Sequence, residues 1–222
     1  MAAVIPAGGE GSRLGVRAGE PPVPKALRLL AGRSLVQRGI DVLAAYVDEI
    51  VVAVPAPAAE TLRVEAPDVR LRIVAGGATR QESVRNALAA LSDQVTQVLV
   101  HDAARALMPA DVVRRVLAAL AAGATCVVPA IPVADSLRVV SADGSNAAAD
   151  RAGVRLVQTP QGFALDALRR AHVAANTDRA SDDASLVEAV GEPVTLVAGD
   201  PRGFKITYPF DLMLAESLLA QG

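Results

Sequence analysis

Short runs rich in β-branched residues alternate along this chain with longer stretches in which apolar residues recur at helical spacing. The short runs predict strands at residues 2–5, 49–54, 71–74, 97–101 and 125–128. The longer stretches predict helices near residues 34–45, 81–91 and 109–122. Strands such as 51–54 are apolar on both faces, which is typical of strands covered by helices on both sides. We therefore expect an α/β fold: a single Rossmann-like domain over residues 1–222, with a mostly parallel central sheet flanked by helices.

The pattern changes after residue 132. Residues 136–140 alternate as a strand does, Asp143-Gly144 is a turn signal, and residues 155–158 could run back beside the first strand. This predicts a protruding β-arm over residues 133–158. Because a lone hairpin is only marginally stable in water, the arm should pack either on its own domain or on a neighbouring subunit. Further elements are expected near 165–175, 183–189, 194–197, 204–206 and from Pro209 onward.

The composition is that of a globular protein, with 52% hydrophobic residues, 21% charged residues and a formal net charge of −2. Lysine and arginine form no basic stripe, so we expect no nucleic-acid partner. No run approaches the roughly 18 apolar residues of a membrane span, and the N-terminus lacks a signal-peptide pattern, so we expect a cytoplasmic protein without a membrane partner. The single cysteine, Cys126, excludes an intrachain disulfide and lies in an apolar run typical of the core.

A glycine-rich turn follows the first predicted strand: residues 6–13 are Pro-Ala-Gly-Gly-Glu-Gly-Ser-Arg. Glycines let the backbone approach a ligand, and its N–H groups can point together at an anion. Arg13 and Lys25 add two cations at the same end of the sheet. A P-loop requires Gly-Lys-Ser/Thr at the end of this turn, and a dinucleotide fingerprint requires a small residue in place of Leu14, so neither motif is present. The turn favours a triphosphate site, with a structural turn and two solvated cations as the alternative.

A second cluster, Val-His-Asp-Ala-Ala-Arg at residues 100–105, follows the fourth strand. Asp102 could hold Mg²⁺, which prefers oxygen ligands together with the phosphates of a substrate. The alternative is a loop ion pair between Asp102 and Arg105. We expect His101 to be packed or hydrogen-bonded rather than catalytic, and His172 to be structural.

Three more segments carry candidate residues. In residues 76–83, Thr79 and Glu82 form a predicted capping box, which leaves Arg80 and Ser83 without a structural explanation. In residues 181–185, either Ser181 or Asp182 could cap a helix. Lys205 lies inside an apolar strand-like segment, where an ammonium group needs a partner, so it is a candidate for binding an anionic ligand.

These motifs occur in the order found in one family, together with Asp135-Ser136, Arg151, the segment 158–161 and Lys205-Ile206-Thr207. Over nearly its whole length the chain resembles the methylerythritol 4-phosphate cytidylyltransferases, CTP-using enzymes of the non-mevalonate isoprenoid pathway within the glycosyltransferase-A-like nucleotidyltransferase superfamily. The resemblance implies transfer of CMP from CTP to 2-C-methyl-D-erythritol 4-phosphate, giving 4-diphosphocytidyl-2-C-methyl-D-erythritol and pyrophosphate. It also implies Mg²⁺ as cofactor and a homodimer whose arms are exchanged.

Two other functions remain as alternatives. A ribitol 5-phosphate cytidylyltransferase shares the glycine loop, but its relatives usually differ at the His-Asp-Ala-Ala-Arg motif. A non-catalytic nucleotide-binding regulator is expected to lose its phosphate-contacting cations, whereas Arg13, Lys25 and Lys205 are all present.

The resemblance assigns roles to individual residues. The catalytic residues would be Arg13, Lys25, Asp102 and Lys205, with Asp102 also at the metal. The CTP-binding residues would be Pro6, Ala7, Gly8, Gly9, Gly11, Gly76, Gly77, Arg80 and Ser83. The sugar-phosphate residues would be Arg105, Ser136, Arg151, Thr159 and Ser181, with Ser136 and Arg151 reaching the partner's site.

The chain departs from the family pattern at a few positions. Gly8 stands where the family usually has alanine, and Ser136 and Ser181 replace threonine. The segment between Arg13 and Lys25 is longer than usual, and we expect residues 15–23 to be mobile until the nucleotide binds.

The expected chemistry needs no general base. The nucleophile would be a phosphate monoester, whose second pKa of about 6 leaves it mostly anionic at neutral pH. The barrier is then repulsion between anions and the charge that grows on pyrophosphate, which Arg13, Lys25, Lys205 and Mg²⁺ would offset.

Overall fold

The structure is a computed structural model that describes residues 1–9, 12–15, 23–176 and 180–221. Two predictions fall on other residues: Gly11 and most of the segment 15–23 lie outside the described part of the chain. The helices and strands, in chain order, are β1 Ala2–Pro6, β2 Leu29–Leu30, β3 Arg33–Ser34, α1 Leu35–Leu43, β4 Glu49–Val54, α2 Ala56–Ala59, β5 Arg70–Ala75, α3 Arg80–Ala89, β6 Gln97–Val100, α4 Ala110–Ala121, β7 Cys126–Pro132, β8 Leu137–Val140, β9 Asn146–Ala149, β10 Arg155–Val157, β11 Gln161–Ala164, α5 Leu165–Ala174, α6 Asp183–Ala189, β12 Val194–Ala198 and α7 Pro209–Ala220.

The central sheet has the order β10-β7-β11-β6-β1-β4-β5, with β12 also paired to β7. The strands β5, β4, β1 and β6 run parallel to one another, and so do β7 and β12. The strand β11 is antiparallel and joins the two parallel groups. The expected mostly parallel α/β sheet is therefore confirmed.

Helices cover both faces of this sheet. Along β1, Ala2 and Val4 pack toward α3, α5 and α6, while Ala3 and Ile5 pack toward α1 and α4. Alternate residues of a strand point to opposite faces, so a strand buried on both sides must be apolar throughout. A smaller cluster that includes Leu30, Ile206 and Leu212 joins α7 to the β2–β3 ribbon.

Side-chain caps fix where the helices begin. Thr79 Oγ1 accepts a hydrogen bond from Glu82 N at the start of α3, as the sequence predicts. The Glu82 carboxylate accepts from Ala78 N, one residue earlier than in a standard capping box. At α6 the cap is Asp182, which accepts from Ser185 N.

The arm is shorter than predicted. The strand β8 pairs with β9, not with residues 155–158, and Gly144 at φ +83° closes the turn between them. Residues 155–157 instead form β10 on the edge of β7 in the central sheet. The prediction failed because the Asn-Ala-Ala-Ala sequence of β9 has little β-propensity, whereas Arg155-Leu-Val has more.

Two further segments differ from expectation. The strand β11 is absent from the sequence prediction, since Gln161-Gly-Phe-Ala carries a polar residue and a glycine. A Cβ at Gly162 would lie 2.6 Å from Val116 and 2.8 Å from Leu120, so α4 packs directly on its backbone. The segment 204–206 is not a strand, and Lys205 lies in an irregular stretch.

Cys126 is buried in the core, and burial raises its pKa to about 12, as expected for an inert thiol.

None of the helices in the described ranges is both long enough and apolar enough to cross a membrane.

Candidate nucleotide-binding site

A pocket opens at the carboxyl ends of β1, β5 and β6, the edge where parallel α/β sheets bind ligands. Eleven of the predicted site residues line it: Pro6, Ala7, Gly8, Gly9, Arg13, Lys25, Gly77, Arg80, Ser83, Asp102 and Lys205. Ala26, Ala78, Thr79, Ala103, Ala104 and Thr207 complete the wall and were not predicted. Five of these six lie within the motifs already described and Ala26 follows Lys25, but neither hydrophobic periodicity nor side-chain chemistry singled them out.

Asp102 lies between two cations in this pocket. Its Oδ2 accepts a hydrogen bond from Lys205 Nζ at 2.7 Å, and its Oδ1 accepts from Arg80 Nε at 3.0 Å. Burial alone would raise the pKa of Asp102, but the charges of Arg80 and Lys205 outweigh it and hold that pKa well below its usual range. The alternative of an ion pair with Arg105 is wrong, since the cations on this carboxylate come from α3 and from the segment before α7.

Lys25 faces the same pocket at the start of a short 3-10 helix, Lys25–Leu27. Burial and the nearby charge of Lys205 lower the pKa of Lys25 to about 8. Arg13 lies close enough to contribute to this lowering, and its guanidinium carbon is 6.0 Å from the centre of the Tyr208 ring. Among the described lining residues, four cations thus face a single carboxylate, which favours an anion with several negative charges.

The glycines pack closely around one buried hydroxyl. Ser83 Oγ accepts a hydrogen bond from Gly77 N at 3.1 Å and donates one to Thr79 O at 2.9 Å. A Cβ at Gly76 would lie 2.9 Å from that oxygen, and a Cβ at Gly8 would lie 3.2 Å from it. Backbone rather than side chain therefore forms this end of the pocket, although Gly76 itself is not among its lining residues.

Thr159 is buried beneath the pocket instead of facing it. Its Oγ1 accepts from Asp102 N at 3.0 Å and lies 3.1 Å from His101 Nδ1. Burial lowers the pKa of His101 to about 4, so the imidazole is neutral at physiological pH. Both residues fix the loop that carries Asp102, and His101 is packed as the sequence indicates.

The remaining predicted sugar-phosphate residues are not brought into this pocket. Arg105 donates to Gly203 O at 2.7 Å and to Val157 O at 2.9 Å, which joins the segment before Lys205 to the end of β10. Ser136 and Arg151 are exposed beside the hairpin, where Arg151 bonds to the carbonyl of Ala134. Ser181 is exposed just before the cap of α6.

Sequence reasoning missed one buried carboxylate. Asp183 Oδ2 accepts from Arg80 Nη1 at 2.7 Å, and its Oδ1 lies 3.0 Å from His172 Nε2. The 181–185 cluster contained the signal, but only helix capping and a sugar-phosphate role for Ser181 were considered there. His172 is buried, as its structural assignment implies, and its partner is this carboxylate.

The single carboxylate among the described residues of this pocket suits a magnesium ion that takes most of its ligands from the substrate phosphates and water. The described residues contain no group of three or more His, Cys, Asp or Glu side chains arranged to hold a metal. Asp102 offers one carboxylate, and Mg²⁺ commonly takes one or two carboxylates with the remaining ligands from phosphates and water. Each Asp102 oxygen accepts one hydrogen bond from a cation and has a second lone pair, so it could bind a metal while keeping that hydrogen bond.

Comparison with known proteins decides the family. Residues 1–221 match the IspD family, 2-C-methyl-D-erythritol 4-phosphate cytidylyltransferase. The chain belongs to this family. The enzyme of that name from Nocardia farcinica is 48% identical over 223 residues, covering 99% of this chain and 94% of that protein. The one from Saccharopolyspora erythraea is 47% identical over 228 residues, covering 99% of both.

A solved structure agrees with the sequence relatives. The crystal structure of 2-C-methyl-D-erythritol 4-phosphate cytidylyltransferase from Thermus thermophilus superposes with a TM-score of 0.81 at 38% identity, covering 99% of this chain and 98% of that one. The resemblance and the fold class predicted from the sequence are both confirmed.

Proposed function

We propose that this cytidylyltransferase binds CTP in the pocket at the carboxyl edge of the sheet and transfers its CMP group to 2-C-methyl-D-erythritol 4-phosphate. The products would be 4-diphosphocytidyl-2-C-methyl-D-erythritol and pyrophosphate. The observation that carries the proposal is that Arg80 and Lys205 both bond to one carboxylate, Asp102, in a pocket that Lys25 and the glycine turn also line. Such a surplus of positive charge suits a triphosphate and a second phosphate.

The nucleotide would lie with its base against the glycines and its phosphates toward the cations. Gly8, Gly76 and Gly77 leave backbone exposed around Ser83, so a flat pyrimidine can approach N–H and C=O groups closely. Arg13 and Lys25 would contact the triphosphate. An anion there would also raise the pKa of Lys25, which burial and Lys205 depress to about 8.

The chemistry would be attack of a phosphate oxygen on the α-phosphorus of CTP, with pyrophosphate leaving. The acceptor is already anionic, so the residues need to position the groups and neutralise charge rather than remove a proton. Lys25, Lys205 and Arg13 would oppose the charge that accumulates on the phosphoryl oxygens. Mg²⁺, held by Asp102 and the phosphates, would supply further neutralisation of those oxygens.

A second copy of the chain would complete the acceptor site. The β8–β9 hairpin forms a separate two-stranded sheet, and Val139 and Val140 on it are 61% and 68% exposed. A hairpin of this kind needs a packing partner in water. Ser136 and Arg151 lie beside it and do not line the pocket of their own chain, so we propose that they reach the pocket of the partner in a homodimer.

The site of action would be the cytoplasm, where CTP is made and consumed. Fractionation of cells producing a tagged chain, followed by immunoblotting, would locate it.

Pyrophosphate release tests the activity. We expect release with CTP and 2-C-methyl-D-erythritol 4-phosphate, and little with ribitol 5-phosphate or other polyol phosphates. Preferential release with ribitol 5-phosphate would support that alternative instead. Binding of CTP without turnover on any acceptor would indicate a regulator.

A further inference from the structure

Arg80 is attached to two carboxylates from different parts of the chain. Its Nε donates to Asp102 in the pocket, and its Nη1 donates to Asp183 at the start of α6. Its third nitrogen, Nη2, makes no hydrogen bond to any residue in the described ranges. Because the guanidinium is planar and rigid, fixing two of its nitrogens also fixes the direction of the third.

Arg80 lies where a positive charge is unfavourable on its own. It is the first residue of α3, and the N-terminus of a helix carries partial positive charge. Asp183 is the first residue of α6, where a carboxylate is favoured. The first side chains of the two helices therefore carry opposite charges, and their ion pair joins the two helix ends.

The Asp183 carboxylate is itself held in place. Its side chain is 1% exposed, and His172 on α5, 3% exposed, contacts Oδ1, the oxygen that does not bind Arg80. The other ring nitrogen, His172 Nδ1, is buried and has no hydrogen-bond partner in the described residues. His172 therefore contributes one polar contact, from Nε2, and that contact is to Asp183. Neither residue lines the pocket.

We propose that Asp183, held by His172, is a positioning residue that orients Arg80 for CTP binding. The inference rests on the proposed function only in taking the pocket to be the CTP site. Asp183 shares the guanidinium with Asp102, so that Arg80 neither turns fully onto Asp102 nor leaves the pocket wall. The bonds from Nε to Asp102 and from Nη1 to Asp183 would then keep the direction of Nη2 fixed while the nucleotide enters.

A double-mutant cycle on CTP affinity tests this role. Asp183→Asn keeps the shape of the side chain but removes its charge, and we expect the Kd for CTP, measured by calorimetry without acceptor, to rise about five- to tenfold. In an Arg80→Gln background the same substitution should change that Kd less than about twofold, because a positioning residue acts only through Arg80. An equal change in both backgrounds, or a lower Kd from loss of a nearby negative charge, would overturn the proposal.

Substitutions at His172 provide a second test that leaves the formal charge of Asp183 in place. His172→Gln can place an amide N–H near the position of Nε2, and it should keep the CTP affinity of the parent protein. His172→Leu removes the donor and should weaken CTP binding about two- to fivefold. Equal CTP affinities in the two variants, with only the melting temperature differing, would show that the pair is merely structural.

The positioning role of Asp183 and the proposed reaction are tested by different measurements. Pyrophosphate release by the parent protein tests the reaction, whereas CTP affinity without acceptor tests Asp183. A parent protein that binds CTP but turns over no acceptor, with the Asp183 cycle as expected, would reject the reaction and keep the positioning role.

Discussion

Lys205 Nζ lies 2.7 Å from Asp102 Oδ2, in an ion pair between residues 103 positions apart in the sequence. The pair places a cation from the irregular segment before α7 against the loop that follows β6. Arg80 bonds to the other oxygen of the same carboxylate. Substrate phosphates entering the pocket would therefore meet cations that are already oriented by one carboxylate.

Asp102→Asn should leave these cations without their common anchor. We expect kcat to fall by at least about 100-fold, because the groups that stabilise the transition state lose their arrangement. CTP affinity should be unchanged or higher, since the pocket becomes more positive. Steady-state pyrophosphate release and calorimetry measure the two effects. The matched control is Asp93→Asn, the same change in the exposed turn before β6, and an unchanged kcat in Asp102→Asn would refute the role of Asp102.

Lys25 should give the reaction an alkaline limit. Its pKa is lowered from 10.5 to about 8, so the free enzyme carries this charge below that pH and loses it above. We expect kcat/KM for CTP, which reports ionisation of the free enzyme, to decline above about pH 8. Lys25→Arg keeps a charge throughout this range, so whatever its absolute activity its profile should lack the decline. The same alkaline decline in both proteins would assign it to another group.

Glycine substitutions should separate two degrees of crowding near Ser83. Gly8→Ala places a Cβ 3.2 Å from Ser83 Oγ, which a small shift can relieve, and we expect the KM for CTP to change by less than about fivefold. Gly76→Ala places a Cβ 2.9 Å from that oxygen and 3.3 Å from Val54 O, where backbone resists movement. Its free energy of unfolding should fall by about 1–3 kcal/mol.

The control for these two is Gly9→Ala, since the described residues place no atom within 4 Å of its Cβ. Thermal unfolding should give this variant the melting temperature of the parent. A Gly8→Ala variant less stable than Gly76→Ala would contradict the packing argument.

Arg105 should act on stability rather than as a direct phosphate ligand of its own chain's pocket. Its two hydrogen bonds join Gly203, two residues before Lys205, to Val157 at the end of β10. We expect Arg105→Ala to lower the free energy of unfolding by about 1–3 kcal/mol, since both carbonyls lose a charged donor. Arg114→Ala removes an exposed ion pair on α4 and should change it by less than about 1 kcal/mol. Denaturant unfolding measures both variants. Equal losses in the free energy of unfolding would show that the Arg105 hydrogen bonds stabilise the protein no more than an exposed ion pair does.

Mixed dimers test whether Arg151 acts across subunits. Lys25→Ala should lower kcat about 100-fold or more while the protein stays folded, and Arg151→Ala should also be nearly inactive. In an equilibrated equal mixture, about one quarter of sites would pair an intact pocket with an intact arm, so activity should return. Lys25→Ala mixed with Lys205→Ala is the control without recovery, because both lysines line the same pocket. No recovery in a verified Lys25→Ala/Arg151→Ala heterodimer would place Arg151 in its own chain's site.

The sequence alone determined the features that depend on local pattern. The strand predicted at 49–54 is observed as Glu49–Val54, and the helix predicted near 109–122 is observed as Ala110–Ala121. Both predictions succeed because a strand buried on two faces is apolar throughout, and a helix buried on one face has apolar residues at helical spacing. The glycine turn and the order of the motifs likewise sufficed to indicate the family.

Only the tertiary structure decided which charges meet. The partners of Asp102, the bond from Arg80 to Asp183, the pairing of β8 with β9 and the insertion of β11 join segments whose local sequences do not encode each other. Arg80 and Asp183 are 103 positions apart, and each is equally compatible with a solvated helix end. Packing of α3, α5 and α6 on one face of the sheet brings them together, because the shared apolar core fixes where those helix ends lie.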